Sequence, residues 1–280
     1  MKNHFSFRMF FALVSAVLVM APQIASAARR SRSSSSDTPE WWVILILILL
    51  MGGAIIGGVI YLERRRSKKM EEVARSLGLT FRRKASDADN ALPAGCHVAQ
   101  IGHGRIVSNV LEAARSQELN LTLFDYQYTT GHGKSARTVY QTITRMESGL
   151  FRLPAFVLFP ESFLAKMGKM FGGADINFPD SPDFSSKYIL RGEDEAAIRA
   201  LFTPALRQTL ANQDRLTIEG AGPLLFIFQK GRSAKPEQIA ARLEQDKRIA
   251  ALFFEGQRPG GPPPPPQPPP PLPPPLPQTN

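Results

Sequence analysis

One uncharged apolar segment, residues 41–62, constrains this 280-residue chain more than any other feature. As a helix, its 22 residues would extend about 33 Å, enough to cross a hydrocarbon core of about 30 Å. The run 43–50 has no polar face, unlike the amphipathic helices that line the cores of soluble proteins. We therefore predict a transmembrane helix over residues 42–62.

Residues 1–27 have the order of a secretory signal peptide: a basic start, an apolar run at 9–21 and a small-residue triplet that ends at Ala27. Cleavage there would leave residues 28–41 as a short extracytoplasmic spacer. The chain would then re-enter the cell through residues 42–62. An uncleaved signal would form a helical hairpin with the same outcome. Both routes leave the C-terminal domain in the cytoplasm, and with the signal cleaved we predict a single-pass protein of the bacterial inner (cytoplasmic) membrane.

A basic collar follows the apolar segment directly and consists of Arg64, Arg65, Arg66, Lys68 and Lys69. It agrees with the positive-inside rule, and each charge near anionic lipid contributes about 1 kcal/mol. Residues 1–69 hold ten Lys and Arg against three Asp and Glu, whereas residues 70–256 hold 23 against 21. The net charge of +10 therefore belongs mainly to export and anchoring, which argues against nucleic-acid binding and for the lipid bilayer as partner.

Small residues recur at helical spacing inside the apolar segment: Gly53 with Gly57, and Ala54 with Gly58. Such pairs put a narrow face on one side of a helix and let a second helix approach closely. The spacing indicates a candidate homodimer face within the membrane.

The remaining sequence predicts an α+β protein. Residues 63–78 favour a juxtamembrane helix that ends at Gly78, and residues 79–256 form the globular domain. Its first half contains short β-branched and aromatic segments separated by glycine turns, which is typical of antiparallel strands. Helices with proline or acidic starts follow. The expected fold is an antiparallel meander sheet or partly open barrel with segregated helices.

The chain closes with a Pro-rich tail over residues 257–280, which contains 14 prolines between positions 259 and 277. This composition lacks backbone donors and predicts a disordered segment that samples polyproline II. It is interpreted as a stiff spacer; the alternative is a scaffold element that docks in an aromatic groove of a protein partner through Leu272 and Leu276.

Two motifs suggest ligand chemistry and then fail on spacing. The sequence Gly131-His132-Gly133-Lys134-Ser135 resembles the end of a phosphate-binding loop, but its leading glycine is missing and a strand pattern follows where a helix is required. The set Cys96, His97 and His103 offers three metal ligands without paired spacing. We therefore predict neither a metal nor a cofactor.

No nucleophile motif accompanies the histidines, and no catalytic residue is assigned. Carboxylates occur at Asp125, within a strand, and at Asp175, Asp180 and Asp183, within a polar loop over residues 172–183. Capping and turn roles are the ordinary reading of such residues. The alternative is a membrane-bound enzyme that uses this loop together with Asp125 or a histidine.

Several short motifs carry a family resemblance: residues 124–131, Gln141-Thr142, residues 153–156, Pro160-Glu161 and residues 175–178. With these motifs, residues 70–255 resemble a family of uncharacterised bacterial single-pass membrane-anchored proteins. The Pro-rich tail and residues 96–105 depart from that pattern. The resemblance implies a folded domain and brings no activity or cofactor with it.

These observations favour a membrane-anchored cytoplasmic binding or scaffolding domain. Its partner would be another protein or the lipid surface beside which it is tethered. The membrane-bound enzyme is the alternative. A pocket with convergent carboxylates of perturbed pKa would favour the enzyme, and a flat or grooved surface would favour the binding domain.

Overall fold

The computed structural model describes residues 41–86, 102–114, 116, 118–163 and 175–257. The chain divides into two compact units between Lys68 and Lys69. The predicted signal peptide, nearly all of the spacer and the Pro-rich tail lie outside the described residues.

The first described element is helix α1 (Trp41–Ser76), a continuous helix of 36 residues. It is long and apolar enough to cross a membrane, and no part of its most apolar stretch is buried. Leu49 and Leu50 are each 65% exposed. The apolar segment is therefore not a core helix of the folded domain.

The last two turns of α1 belong to the second unit, where Met70 and Ala74 are fully buried in the main core. The sequence assigned these turns to a juxtamembrane helix outside the domain. Gly78, at φ 67°, ends the helix as predicted. Its N–H donates to the Arg75 carbonyl, and the next N–H donates to Ala74 at 2.8 Å, which is a Schellman cap.

Eight strands form one open antiparallel sheet. They are β1 (Thr80–Lys84), β2 (His103–Glu112), β3 (Asn120–Thr130), β4 (Arg137–Glu147), β5 (Leu153–Pro160), β6 (Tyr188–Gly192), β7 (Leu216–Gly222) and β8 (Leu224–Gln229). The spatial order is β1-β2-β3-β4-β8-β7-β5-β6. The first four strands confirm the predicted meander, and β7 and β8 pair as an antiparallel hairpin.

The meander prediction is wrong after β4, because β8 rather than β5 pairs with β4. The residues of β8 explain its central place: residues 225–228 are all buried, with alternate side chains on opposite faces of the sheet. A strand that is apolar on both faces needs neighbours on both edges and cover on both sides. Strand β5 shares this character and lies between β7 and β6.

The helices of the domain are α2 (Pro182–Lys187), α3 (Glu195–Leu201), α4 (Pro204–Ala211) and α5 (Ile239–Gly256). Together with the end of α1 they share the main core with one face of the sheet. A 3-10 turn, Glu161–Phe163, follows β5. The sequence predicts a helix from Pro160 to Met170, and residues 164–170 of it lie outside the described residues. The separation of helices from a largely antiparallel sheet confirms the α+β class.

Candidate functional site

The basic collar lies on α1. Arg64, Arg65 and Lys68 are exposed, and Arg66 and Lys69 are half-buried. Lys69, the first residue of the second unit, donates from Nζ to Glu237 Oε1 at 2.7 Å. That hydrogen bond lowers the pKa of the exposed Glu237 carboxyl. One residue of the collar, Lys69, therefore makes a contact within the domain.

No other part of the described chain covers the small residues of the candidate dimer face. A methyl group added at Gly53, Gly57 or Gly58 would meet no atom within 4 Å. Ala54 is also exposed. The face is therefore accessible to a second helix, and self-association remains a prediction.

The carboxylates of the polar loop are held by arginines. Arg191 Nε donates to Asp175 Oδ1 at 2.6 Å, and Arg207 Nη2 donates to Asp180 Oδ2 at 2.5 Å. Asp183 is exposed in the first turn of α2. Asp175 and Asp180 thus hold arginine partners, and these carboxylates form no metal-ligating group within the described residues, which favours structural roles for them.

Arg207 is the centre of that arrangement and is only 5% exposed. Its guanidinium lies 4.2 Å from the centre of the Phe178 ring and donates from Nε to the Ser181 hydroxyl. It also reaches the Phe202 carbonyl at 3.2 Å. Burial lowers the pKa of Arg207, and the Asp180 charge opposes this shift. The side chain ties the loop to α4.

The glycine-rich segment before β4 is a turn. Gly133–Ser135 form a 3-10 turn and β4 starts at Arg137, so no helix follows to hold a phosphate. The rings of His103 and His132 stack at 5.0 Å. Cys96 and His97 lie outside the described residues. Within the described part of the chain, no three metal-ligating side chains come together.

A cleft of about 470 Å³ lies in the second unit, between α5 and the segment that follows β8. The sequence did not indicate it. It is lined by Leu216, Gln229, Arg232, Ser233, Ala234, Lys235, Gln238, Ala241, Arg242, Gln245 and Asp246.

Asp246 is the carboxylate of this cleft and is 1% exposed. It accepts a hydrogen bond of 2.6 Å from Thr144 Oγ1, and Arg242 Nε lies 3.5 Å from the same oxygen. Desolvation raises the pKa of Asp246 to about 6, because it outweighs the opposing effects of Arg242 and Thr144. A carboxyl group of this kind exchanges a proton near neutral pH.

Asp125 is buried beside the cleft wall instead of facing the cleft. It accepts hydrogen bonds of 2.8 Å from Asn109 Nδ2 and from Thr142 Oγ1. The Thr142 hydroxyl in turn accepts the backbone N–H of Ala234, which lines the cleft. Asp125 therefore positions the wall by way of Thr142, a structural role consistent with its place within a strand.

Positive charge dominates the cleft lining, which contains Arg232, Lys235 and Arg242 against the single carboxylate of Asp246. One signal in the sequence, which the predictions above do not include, could have indicated the buried carboxylate of this cleft. Asp246 follows Leu243 by three residues and precedes Ala250 by four, so a charged residue occupies the buried stripe of α5. A carboxylate at such a position requires buried partners.

No model of a known protein family matches the chain, and no curated protein matches it. Among solved structures, the chain is similar to the mycobacterial trehalose monomycolate transport factor A, with a TM-score of 0.44 and 11% identity. The similarity covers 70% of this chain and 96% of that chain. Similarity at this level assigns neither family nor function, and the resemblance drawn from sequence motifs stays a prediction.

Proposed function

We propose that this protein is a single-pass inner-membrane protein whose cytoplasmic α+β domain binds a partner at the membrane surface. The observation that carries the proposal is α1, which is exposed along its apolar part and contributes Met70 and Ala74 to the domain core. An anchor that is also part of the fold keeps the domain beside the bilayer. Tethering of this kind raises the effective concentration of surface partners, so weak contacts suffice.

The partners of the polar-loop carboxylates and of Asp125 favour a binding domain over an enzyme that uses these residues. Asp175 and Asp180 each pair with an arginine, and Asp125 is occupied by Asn109 and Thr142. A general acid or base must reach a substrate proton, directly or through one water. Carboxylates that hold structural partners of this kind are poorly placed for that role.

Membrane integration is tested by charge insertion into the apolar part of α1. Leu47→Arg with Leu50→Arg places two charges at positions that are 59% and 65% exposed. Each costs about 2.5–3.5 kcal/mol at the centre of a transmembrane helix. We expect the double variant to leave the carbonate-resistant membrane fraction, and Leu47→Ala with Leu50→Ala to remain in it. Retention of the arginine variant at the wild-type level would contradict the proposal.

Orientation is tested by labelling one exposed site. Lys134 lies in the exposed turn between β3 and β4. With Cys96→Ser to remove the native thiol, Lys134→Cys should react with a membrane-impermeant maleimide only after the inner membrane is broken. The matched control is the parent Cys96→Ser, which should stay unlabelled in both conditions. Labelling of the turn in intact spheroplasts would place the domain outside the cytoplasm.

A membrane-bound enzyme is the second candidate, and the observation in its favour is Asp246. Asp246 lines the cleft and burial raises its pKa to about 6, within the range of a general acid or base. However, its carboxyl is 1% exposed and would have to exchange its contacts with Thr144 and Arg242 for a substrate. Mass spectrometry of a membrane extract incubated with wild type or with Asp246→Asn tests this candidate. A product formed by the wild type alone would favour the enzyme, and identical profiles would count against it.

A further inference from the structure

The cleft lining carries more positive than negative charge, with three cations against the carboxylate of Asp246. Arg242 pairs with Asp246, whereas Arg232 and Lys235 are exposed at the cleft wall and form no ion pair within 4 Å in the described part of the chain. The charge of Lys235 also acts on the exposed Glu237 carboxyl, which already accepts the hydrogen bond from Lys69. Two exposed cations that line one concave site raise the positive potential there and favour an anionic ligand.

The guanidinium of Arg242 adds directional donors. Its side chain is 13% exposed, and its Nη2 donates to the carbonyls of Thr142 and Ile227, each at 3.3 Å. Its Nε is buried and lies 3.5 Å from Asp246 Oδ2 without forming a hydrogen bond. The two carbonyl contacts fix the guanidinium plane and leave Nη1 as the donor without a described partner. A charged donor held in a fixed position suits a phosphate oxygen, with which arginine forms charge-assisted hydrogen bonds.

The chain connects this cleft closely to the apolar part of α1. Glu237, which accepts the hydrogen bond from Lys69, lies between the cleft residues Lys235 and Gln238 in the sequence. Lys69 follows Leu62, the last apolar residue, by seven positions. Seven residues extend at most about 25 Å. If Leu62 lies at the membrane boundary, this side of the cleft is held within reach of lipid headgroups.

We propose that this cleft binds the phosphate-bearing headgroup of an anionic lipid, with Arg232, Lys235 and Arg242 as the phosphate ligands. The volume of about 470 Å³ exceeds that of a phosphate group and leaves room for the rest of a headgroup. The inference rests on the proposed anchoring, because the bilayer supplies the ligand. It identifies the partner of the anchored domain as an anionic lipid.

The test uses the full-length protein in a neutral maltoside detergent and short-chain lipids as probes. Dihexanoyl phosphatidic acid presents the anionic phosphate, dihexanoyl phosphatidylcholine is the zwitterionic control, and inorganic phosphate represents a free source. Hydrogen exchange measured by mass spectrometry reports on residues 229–246. We expect slower exchange there with phosphatidic acid, a half-maximal concentration that rises with salt, and no effect of phosphatidylcholine.

Two charge-matched variants separate a site from general attraction. Arg232→Ala with Lys235→Ala removes two hydrogen-bonding cations and should raise the half-maximal concentration about tenfold or more. Lys134→Ala with Arg137→Ala removes two exposed cations near the β3–β4 turn and should change it less than about twofold. Unchanged exchange in residues outside 229–246 shows that each variant is folded.

Three results would overturn the inference: no change in exchange with phosphatidic acid, an equal effect of the two variant pairs, or protection by inorganic phosphate at the same concentration. The last would assign the cleft to a free phosphate compound. Carbonate extraction of the same variants and of the wild type distinguishes a failure of the lipid-site proposal from a failure of the anchoring proposal. Membrane-retained protein without probe binding contradicts only the lipid site, whereas soluble wild type contradicts the anchoring.

Discussion

The buried carboxyl of Asp246 makes the stability of the domain depend on pH in a way that one substitution removes. Its pKa is about 6 in the folded protein, against an ordinary value of 3.8. The folded state therefore binds this proton more tightly than the unfolded state. The resulting stabilisation is complete below pH 4 and is lost as the pH rises through 6. At about 1.36 kcal/mol per pH unit, the loss is about 3 kcal/mol.

Asp246→Asn keeps the shape and removes the titration, since an amide oxygen can accept the Thr144 hydrogen bond as the protonated carboxyl does. We expect the stability of the variant relative to wild type to grow by about 3 kcal/mol between pH 4 and pH 7. Pulse proteolysis in urea on the detergent-solubilised full chain measures both proteins at each pH. The control is Asp214→Asn, whose carboxylate is 87% exposed.

The control should show no such trend, because its carboxylate is in contact with water in both the folded and the unfolded state. A difference between Asp246→Asn and wild type that stays constant within about 1 kcal/mol from pH 4 to pH 7 would refute the reasoning. It would mean that water or the Arg242 charge already compensates the buried carboxylate.

Three further tests concern the fold and the anchor. Arg207→Ala removes the buried hydrogen bonds to Ser181 and Phe202 and the contact with the Phe178 ring, and should lower the free energy of unfolding by about 1–3 kcal/mol in pulse proteolysis; a loss below about 0.5 kcal/mol would contradict this role of Arg207. Gly220→Ala places a methyl carbon where the Phe156 ring lies and should cost about 1–3 kcal/mol, part of which Phe156→Leu should restore; additive losses would argue against this contact. Gly53→Ile with Gly57→Ile should abolish self-association in a membrane two-hybrid assay if these residues form the dimer face, and unchanged association would reject it.

Local patterns predicted the parts of the fold that depend on neighbouring residues. The apolar run of α1, the Gly78 cap and the β3–β4 hairpin each follow from residues close in sequence. Turn residues could not predict that β8, and not β5, lies beside β4. This pairing depends on which strands are apolar on both faces. The unbroken apolar sequence of β8 was the available signal for a central strand.

The cleft escaped prediction for a related reason. Its lining comes from Leu216, from residues 229–235 and from residues 238–246, and no motif spans them. Asp246 alone carried a local signal, as a carboxylate within the buried stripe of α5. Asp175 and Asp180 were candidate catalytic carboxylates in the sequence. In the structure they pair with arginines that become their neighbours only in the folded chain.

The central claim, a domain tethered by α1 on the cytoplasmic side, is tested most directly by paired reporter fusions after residue 257. Alkaline phosphatase is active only outside the cytoplasm, and green fluorescent protein exported in the unfolded state fluoresces only inside it. We predict bright fluorescence and no phosphatase activity for the fusions after residue 257. Active phosphatase together with a dark fluorescent fusion would contradict the account.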